Sequence, residues 1–347
     1  MDDKLKNHIT KIVNAVITPD KGEISSLQIN SDGEVILIIN IDPKNGAILE
    51  KLRLKAERKI GALRGISKVS VVLSAEKNGS VEVQKKRVLD PIIDVAAKRI
   101  ILIASGKGGV GKSTISANIA VKLAQSFDVG LLDADIYGPS QPLMMGGQDY
   151  KPELNSDKKL IPMEAHGIKI MSIGFMVDKS KALVWRGPMM QKALFQMIRD
   201  VDWTNEGKPL DYLIIDMPPG TGDVQLTLAQ KLKIDGAIIV STPQDIALID
   251  ARRAVDMFNK TDVPVLGLIE NMSTHTCSNC GHEEHIFGHG GASKEAAALG
   301  IPFLGEIPLS RNIRTQSDNG KPIVIAEPKS KQAQAFCDIV SNIENLA

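Results

Sequence analysis

Hydrophobic residues form short alternating runs near the start of the chain, and these runs predict strands. Two of them, Ile24–Ile29 and Val35–Ile41, flank Ser31–Gly33, which reads Ser-Asp-Gly. An Asp-Gly pair between alternating apolar runs is a good signal for a β-hairpin. Apolar residues then recur at helical spacing over Ala47–Leu63, and a last run at Val69–Leu73 predicts a third strand.

Polar and basic residues interrupt this pattern over residues 76–98, which include Asn78, Gly79 and the basic run Lys85–Arg87. Such a composition is typical of a linker that few tertiary contacts cross. We therefore predict three parts. They are a small α+β domain over residues 1–78, a linker over residues 79–97 and a second domain over residues 98–347.

The second domain contains apolar runs that alternate with helical segments. This order predicts βαβ units, and hence an α/β fold with a mostly parallel sheet covered by helices on both faces. The predicted strands are Ile100–Ala104, Val129–Asp133, Ile168–Ile173, Tyr212–Asp216, Ala237–Val240 and Val265–Ile269.

Composition narrows the classes of partner. Lys and Arg total 42 against 41 acidic residues, and aromatic residues make up 3% of the chain, so we expect no nucleic-acid partner. The apolar runs fall far below the roughly 18 residues of a membrane span. No apolar segment of the signal-peptide type follows the charged N-terminus, and we expect a cytoplasmic protein. Three cysteines are too few for a disulfide framework.

A glycine-rich segment follows the first predicted strand of the second domain and precedes a predicted helix. It matches GxxxxGK[ST] in the strand, loop and helix setting of a P-loop. Backbone N–H groups of such a loop hold phosphates, Lys112 would reach the outer phosphates, and Ser113 would bind Mg²⁺. The candidate nucleotide-binding residues are Gly106, Lys107, Gly108, Gly109, Val110, Gly111, Lys112, Ser113 and Thr114.

Carboxylates end two of the predicted strands, where they would face the same loop. Asp216 ends an apolar strand, as do the carboxylate residues that hold Mg²⁺ through its water shell. Asp133 and Asp135 follow another strand. We assign Asp133 to the metal and Asp135 to the orientation of the attacking water.

The base is predicted to be adenine, which makes ATP the expected nucleotide. The segment Asn259–Asp262 matches the NKxD pattern of guanine-binding proteins, but it follows the predicted helix Ile246–Phe258 instead of a strand. We interpret it as a helix-to-strand turn. Asn271, just after the strand Val265–Ile269, is better placed to meet a purine.

Cys277 and Cys280 form a CxxC pair after the sixth predicted strand, a spacing that lets both sulfurs face one metal. Two thiols fall short of the four usual for a cluster, but a twofold axis near the pair would complete the set. A zinc site and a redox dithiol remain as alternatives. Cys337 lies in an apolar helical tail and is predicted to pack in the core. The histidines that could complete a zinc site are His282, His285 and His289.

The motifs resemble a known family. KGGVGKS, with Lys107 as its first residue, resembles the deviant Walker A signature of the MinD, ParA and nitrogenase iron protein class. Four further segments resemble the Mrp/ApbC branch of iron-sulfur carrier ATPases. They are DADIYGPSQP (Asp133–Pro142), WRGPMM (Trp185–Met190), DMPPGTGD (Asp216–Asp223) and ENMS (Glu270–Ser273). The first region resembles the MIP18-like domain that often precedes this ATPase, although it contains no cysteine.

The resemblance implies an ATP hydrolase that works as a homodimer, in which Lys107 reaches the nucleotide of the partner chain. It also implies a [4Fe-4S] cluster that bridges two chains through Cys277 and Cys280, an iron-sulfur scaffold as donor and apo-proteins as recipients. We expect ATP binding and slow hydrolysis to gate the transfer.

Three alternatives to the carrier remain. One is a MinD/ParA-type positioning or partition ATPase, which would dock on a membrane or DNA. The tail Ala333–Ala347 has no lysine to support membrane docking. The others are a zinc-stabilised ATPase and a reductase that passes electrons from its cluster.

Overall fold

The computed structural model describes residues 2–18, 22–29, 34–41, 46–63, 66, 68–74, 92–136, 138–176 and 187–346. They belong to two compact units, Met1–Val88 and Leu89–Ala347. The predicted turn Ser31–Gly33, most of the predicted linker and Trp185 of the WRGPMM segment lie outside the described residues.

The first unit has a three-stranded sheet and two helices. Its elements are α1 (Asp2–Val16), β1 (Gly22–Ile29), β2 (Glu34–Ile41), α2 (Gly46–Gly61) and β3 (Lys68–Ser74). Strands β1 and β2 pair antiparallel from Gly22 with Ile41 to Ile29 with Val35, which confirms the predicted hairpin. Strand β3 joins β2 in parallel. Alternate residues of β2, namely Val35, Leu37 and Ile39, are buried in this unit's own core, as the period of two in a strand requires.

The second unit contains one large sheet. Its strands are β4 (Ala97–Ala104), β5 (Val129–Asp133), β6 (Met163–Ala165), β7 (Ile168–Ser172), β8 (Thr204–Asn205), β9 (Lys208–Asp216), β10 (Gly236–Ser241), β11 (Val265–Thr276), β12 (Glu283–Glu284) and β13 (Phe303–Leu309). The order along the sheet is β12-β11-β10-β4-β9-β5-β7-β6, with β13 paired to β11 and β8 to β9.

Helices connect these strands or follow the last of them. They are α3 (Lys112–Leu123), α4 (Gln141–Met144), α5 (Gly187–Arg199), α6 (Asp223–Lys231), α7 (Asp245–Lys260), α8 (Gly291–Leu299), α9 (Arg311–Asp318), α10 (Ile323–Ala326) and α11 (Lys331–Leu346). In the part of the chain that the structure describes, no helix has both the length and the apolar composition needed to cross a bilayer.

The central strands of the sheet are parallel and buried. Every residue of β5 and β10 is buried, as are the last five residues of β4, which fits the nearly continuous apolar runs that predicted them. All six predicted strands of this unit are present, so the predicted α/β fold is confirmed. Their carboxyl ends meet at one edge, where ligands bind in open α/β sheets.

Strand β11 is longer and less regular than predicted, since it continues beyond Ile269 to Thr276. Asn271 is paired with Ile307 of β13, and His275 is paired with Leu309. Four steps along β11 therefore match two steps along β13, which defines a bulge. Within this bulge Met272 has a φ of 59°, in the left-handed region that residues other than glycine seldom adopt.

Candidate nucleotide site and cysteine hairpin

The predicted P-loop connects the end of β4 to the start of α3. Gly109 and Gly111 have φ values of 81° and 83°, which glycine adopts without steric cost. A Cβ atom at Gly111 would also collide with the side-chain amide of Asn271. Because Gly111 directly precedes the first turn of α3, the loop presents backbone N–H groups at a helix N-terminus, as phosphate binding requires.

Lys112 is held by a buried carboxylate. Its Nζ atom lies 2.6 Å from Oδ1 of Asp216, and the two side chains are 6% and 0% exposed. Ser116 Oγ donates to the same oxygen at 2.9 Å. The positive charge of Lys112 is therefore neutralised inside the protein, and its hydrogen bonds meet the condition for burying an ion pair.

Asp133 lies beside Asp216 because the two residues are register partners on the neighbouring parallel strands β5 and β9. Oδ2 of Asp133 accepts hydrogen bonds from Gln141 N at 3.1 Å and Ser172 Oγ at 3.0 Å. Burial, and secondly the charge of Asp216, raise the pKa of Asp133 to about 7, while these two hydrogen bonds lower it. Asp133 can therefore gain or lose a proton near neutral pH.

Gln141 belongs to this site, although the sequence analysis did not single it out. Its Nε2 atom donates to Ser113 O at 3.0 Å and to Asp216 Oδ2 at 2.9 Å. The side chain is fully buried, and its Oε1 atom has no hydrogen-bond partner among the described residues. Its position within the DADIYGPSQP segment was a sequence signal that could have identified it.

The donor set at this point suits Mg²⁺. Two carboxylates, the Ser113 hydroxyl group and the unsatisfied Gln141 Oε1 atom provide the oxygen ligands that this ion prefers. Ser113, Asp133 and Asp216, which the sequence predicted as its ligands, belong to the connected set of contacts described above.

Asp135 and Lys107 are both half-buried. Asp135 Oδ1 accepts from Gly138 N at 3.3 Å, and Asp135 N donates to Asp133 Oδ1 at 3.1 Å. The carbonyl group of Lys107 accepts from Ser105 Oγ at 2.9 Å. Their predicted roles in hydrolysis stay predictions.

Asn271 of β11 contacts the P-loop across the carboxyl end of β10. Its Nδ2 atom donates to Val110 O at 2.8 Å, and the side chain is 7% exposed. The amide group is thus already bonded to the loop, and its contact with a purine stays a prediction. The NKxD segment lies elsewhere. Asn259 and Lys260 end α7 and Asp262 has a φ of 56°, which confirms the predicted helix-to-strand turn.

The CxxC pair lies at the tip of a short hairpin, the cysteine hairpin, which comprises residues 275–284. Strands β11 and β12 pair through Thr276 and Glu283. Cys277 N donates to His282 O at 2.9 Å, and Gly281 N donates to Cys277 O at 2.9 Å. These bonds close the turn, with Cys277 half-buried and Cys280 exposed.

The turn stabilises a thiolate at Cys277. Hydrogen bonds from the backbone of Asn279, then from the backbone and thiol of Cys280, lower the pKa of Cys277 from its usual 9.0. Because thiolates are the form that binds metals and attacks electrophiles, the turn favours both kinds of chemistry.

The three histidines proposed as zinc ligands do not gather around the thiols. His285 Nδ1 lies 3.2 Å from Ser273 O, and its ring stacks on that of His289 at a centroid distance of 4.3 Å. Among the described residues, no third His, Cys or carboxylate ligand atom joins those of Cys277 and Cys280 within 4.8 Å. Within the described part of one chain, two ligands are therefore available at this point.

Cys337 differs from its prediction. It is half-buried on α11, whereas its neighbour Phe336 is fully buried. The thiol thus lies at the margin of the core, because the buried face of α11 is formed by other residues. They are Ala333, Phe336, Ile339, Val340 and Ile343.

Comparisons with known proteins found a family model and several relatives that match most of this chain. The family described as NUBPL iron-transfer P-loop NTPase, of the ParA group, matches residues 96–344. An iron-sulfur cluster carrier protein from Pseudomonas fragi is 52% identical over 244 residues, which are 70% of this chain and 84% of that protein. A mitochondrial iron-sulfur protein required for NADH dehydrogenase from Arabidopsis thaliana is 51% identical over 248 residues, covering 71% and 78% of the two chains.

A solved structure is similar over a comparable share of the chain. It is a nucleotide-binding protein from Archaeoglobus fulgidus in complex with ADP, in which cobalt was found. The TM-score is 0.59 at 38% sequence identity, and the match covers 70% of this chain and 93% of the other.

Proposed function

Because the chain belongs to the family of NUBPL iron-transfer P-loop NTPases, we propose that it carries iron-sulfur clusters to apo-proteins, with ATP binding and slow hydrolysis gating the transfer in a homodimer. One observation carries this proposal. A complete P-loop and a thiol pair at an exposed turn belong to the same folded unit. The Pseudomonas fragi relative named as an iron-sulfur cluster carrier is matched along 84% of its own length.

The cluster is the cargo, and Cys277 and Cys280 are the residues that would hold it. A cluster generally needs four thiolates, and each chain offers two at this turn. Two chains related by a twofold axis would supply four, so we propose a bridging [4Fe-4S] cluster. The exposed position of Cys280 supports this arrangement, because a partner chain can reach it without rearrangement of the core.

The P-loop would bind ATP through the backbone N–H groups of Gly106–Thr114 and the N-terminus of α3. Lys112 would exchange its contact with Asp216 for the outer phosphates. Mg²⁺, when bound, neutralises charge on the β- and γ-phosphates. Ser113, Asp133 and Asp216 would hold it, Asp135 would orient the attacking water, and Lys107 would reach the nucleotide of the partner chain.

Strand β11 offers a direct connection between the two sites. Asn271 bonds to the P-loop at Val110, and Cys277 follows the last residue of the same strand. A displacement of the loop on nucleotide binding can therefore reach the cysteine hairpin along one covalent segment. This supports the gating of cluster transfer by ATP.

Anaerobic reconstitution with ferrous iron and sulfide tests the carrier function. We expect the parent protein and the Cys337→Ser control to bind about four iron atoms and four sulfides per dimer, as a [4Fe-4S] cluster requires. The double variant Cys277→Ser, Cys280→Ser should bind none. Equal iron and sulfide in the double variant and the control would exclude the cysteine hairpin as the cluster site.

Light scattering of the reconstituted protein tests the bridging arrangement separately. We expect the reconstituted protein to have the molar mass of two chains when the cluster is bound. A strictly monomeric holo-protein would contradict the bridge, and transfer of its cluster to an apo-ferredoxin would then show that carriage needs no dimer.

A further inference from the structure

Three ligand side chains meet outside both sites just described. Glu270 lies on β11, His289 lies in the segment between β12 and α8, and Glu306 lies on β13. One ligand atom from each lies within 4.8 Å of the others. Among the described residues this is the one such group of three or more His, Cys, Asp or Glu residues.

The sheet itself brings the two carboxylates together. Glu270 and Glu306 are register partners on the parallel strands β11 and β13. Side chains of aligned residues on neighbouring strands point to the same face. Glu270 is fully buried, and Glu306 is 46% exposed. Two like charges side by side repel each other, so this register has a cost that a bound cation would remove.

A simpler explanation accounts for only part of this arrangement. Both oxygens of Glu270 accept backbone hydrogen bonds at the start of α8, from Gly290 N at 2.9 Å and Ala292 N at 2.7 Å. This explains the burial of Glu270 and fixes its carboxylate group. A cap of this kind requires neither a second carboxylate at the aligned position of β13 nor a histidine beside it.

His289 is oriented towards the carboxylates. Its Nε2 atom lies 3.2 Å from Oε2 of Glu306, and the side chain is 47% exposed. Its ring stacks on His285 at an interplanar angle of 29°, and His285 is in turn close to Ser273 O. Stacking on His285 thus fixes the orientation of the His289 ring and of its ligand nitrogen. The half-exposed side chains of His289 and Glu306 leave a path for an ion to enter.

We propose that Glu270, His289 and Glu306 bind a divalent transition-metal ion, a site distinct from the cysteine hairpin and from the nucleotide site. One imidazole and two carboxylates suit the zinc, iron(II) and manganese class, whereas Mg²⁺ and Ca²⁺ prefer oxygen ligands alone. Water fills the remaining positions. The ion links β11, β13 and the segment that leads from the cysteine hairpin to α8.

The test uses the full-length chain with Cys277→Ser and Cys280→Ser, freed of metal by a chelator and of nucleotide by dialysis. Removal of both thiols makes the result independent of cluster carriage. Isothermal titration with Zn²⁺ is carried out in excess Mg²⁺, which occupies oxygen-only sites. In this background we compare His289→Ala and Glu306→Gln with a matched control, His275→Ala. The Nδ1 atom of His275 lies 3.0 Å from Oε1 of Glu284, and neither residue belongs to the proposed site.

The expected result is one equivalent of Zn²⁺ per chain. We expect its affinity to fall by about tenfold or more in His289→Ala and Glu306→Gln and to stay unchanged in His275→Ala. Glu270 is left intact because its loss would disturb the cap of α8. Circular dichroism of the metal-free variants verifies that each one folds.

Two results would overturn the proposal. One is the absence of a stoichiometric binding step in the parent of this series. The other is a Zn²⁺ affinity that is the same in His289→Ala, Glu306→Gln and His275→Ala, whether all three bind Zn²⁺ as the parent does or all three bind it more weakly.

Discussion

The nucleotide site and the cysteine hairpin follow opposite structural principles. At the nucleotide site, Lys112, Asp133 and Asp216 are buried and bonded to one another or to neighbouring donors. At the cysteine hairpin, Cys280 is exposed, and the described residues bring no further ligand to the two thiols. One site is held in place by the core, while the other has an incomplete set of ligands.

This difference teaches where each site obtains its specificity. A buried network fixes distances before the ligand arrives, so that binding does not have to order the side chains. An exposed pair of thiols can both acquire and release a ligand, because the remaining contacts come from another molecule. Substitutions at the nucleotide site should therefore affect folding and activity together, whereas substitutions at the hairpin should affect ligand binding alone.

The largest effect is expected from Lys112→Ala. Loss of the P-loop lysine should lower ATP hydrolysis by about a hundredfold or more. It also leaves Asp216 buried without its partner, which should lower the free energy of unfolding by about 3–5 kcal/mol. Phosphate release and denaturant titration measure the two effects.

The control for this experiment is Lys122→Ala, at the other end of α3, where the amine contacts the exposed Gln125. It should change the free energy of unfolding by less than about 0.5 kcal/mol. A folded Lys112→Ala protein as stable as the parent would show that the buried pair is not needed by the fold.

A smaller effect is expected from Gln141→Ala, because this change removes one amide group from the same network. Asp216 Oδ2 and Ser113 O each lose a donor. The free energy of unfolding should fall by about 1–3 kcal/mol, measured by urea titration. Gln125→Ala, at an exposed position, is the matched control. Equal stabilities of the two variants would contradict the structural role of Gln141.

The carboxylate pair predicts a pH dependence of stability. The folded protein holds the proton of Asp133 up to a pKa of about 7, whereas the unfolded chain loses it near 3.8. Asp133 therefore stabilises the fold most below pH 3.8, and this contribution is lost as the pH rises to about 7. The melting temperature of the parent relative to Asp133→Asn should decrease over this interval and level off above it. A constant difference would contradict the raised pKa.

At the cysteine hairpin the expected change is in reactivity. The lowered pKa of Cys277 should make it react with iodoacetamide faster than Cys337 at pH 7, with a midpoint below 9.0 in its rate-against-pH profile. Mass spectrometry of the two peptides measures both rates. Equal profiles would show that the N–H groups of the turn do not stabilise the thiolate.

The sequence predicted those parts of the sites that are local in the chain. The glycines of the P-loop, the carboxylates at strand ends and the CxxC pair are each specified by neighbouring residues. The contact between Asp133 and Asp216 required the order of strands, with β5 beside β9, which no local pattern specifies. Gln141 was missed because a glutamine side chain has no chemical signature of its own, and its position in the DADIYGPSQP segment was the signal for it.

The same limit applies to the edge of the sheet. Glu270 and Glu306 are 36 positions apart in the numbering and become neighbours only through the register of β11 and β13. Strand β13 was not predicted, and the extension of β11 arises from its pairing with β13 and, at its last two residues, with β12. These are consequences of tertiary pairing, which overrides local preference at strand ends.

The bulge divides β11 into two parts that meet at Met272. Met272 occupies a backbone conformation that costs about 1–3 kcal/mol for a residue other than glycine, and its terminal carbon would lie 3.7 Å from a Cβ atom built on Gly111. The strain is thus concentrated at Met272, between Asn271, which bonds to the P-loop, and the four residues that precede the first thiol. A small rotation of the backbone at Met272 would therefore move both sulfur atoms together with the end of β11.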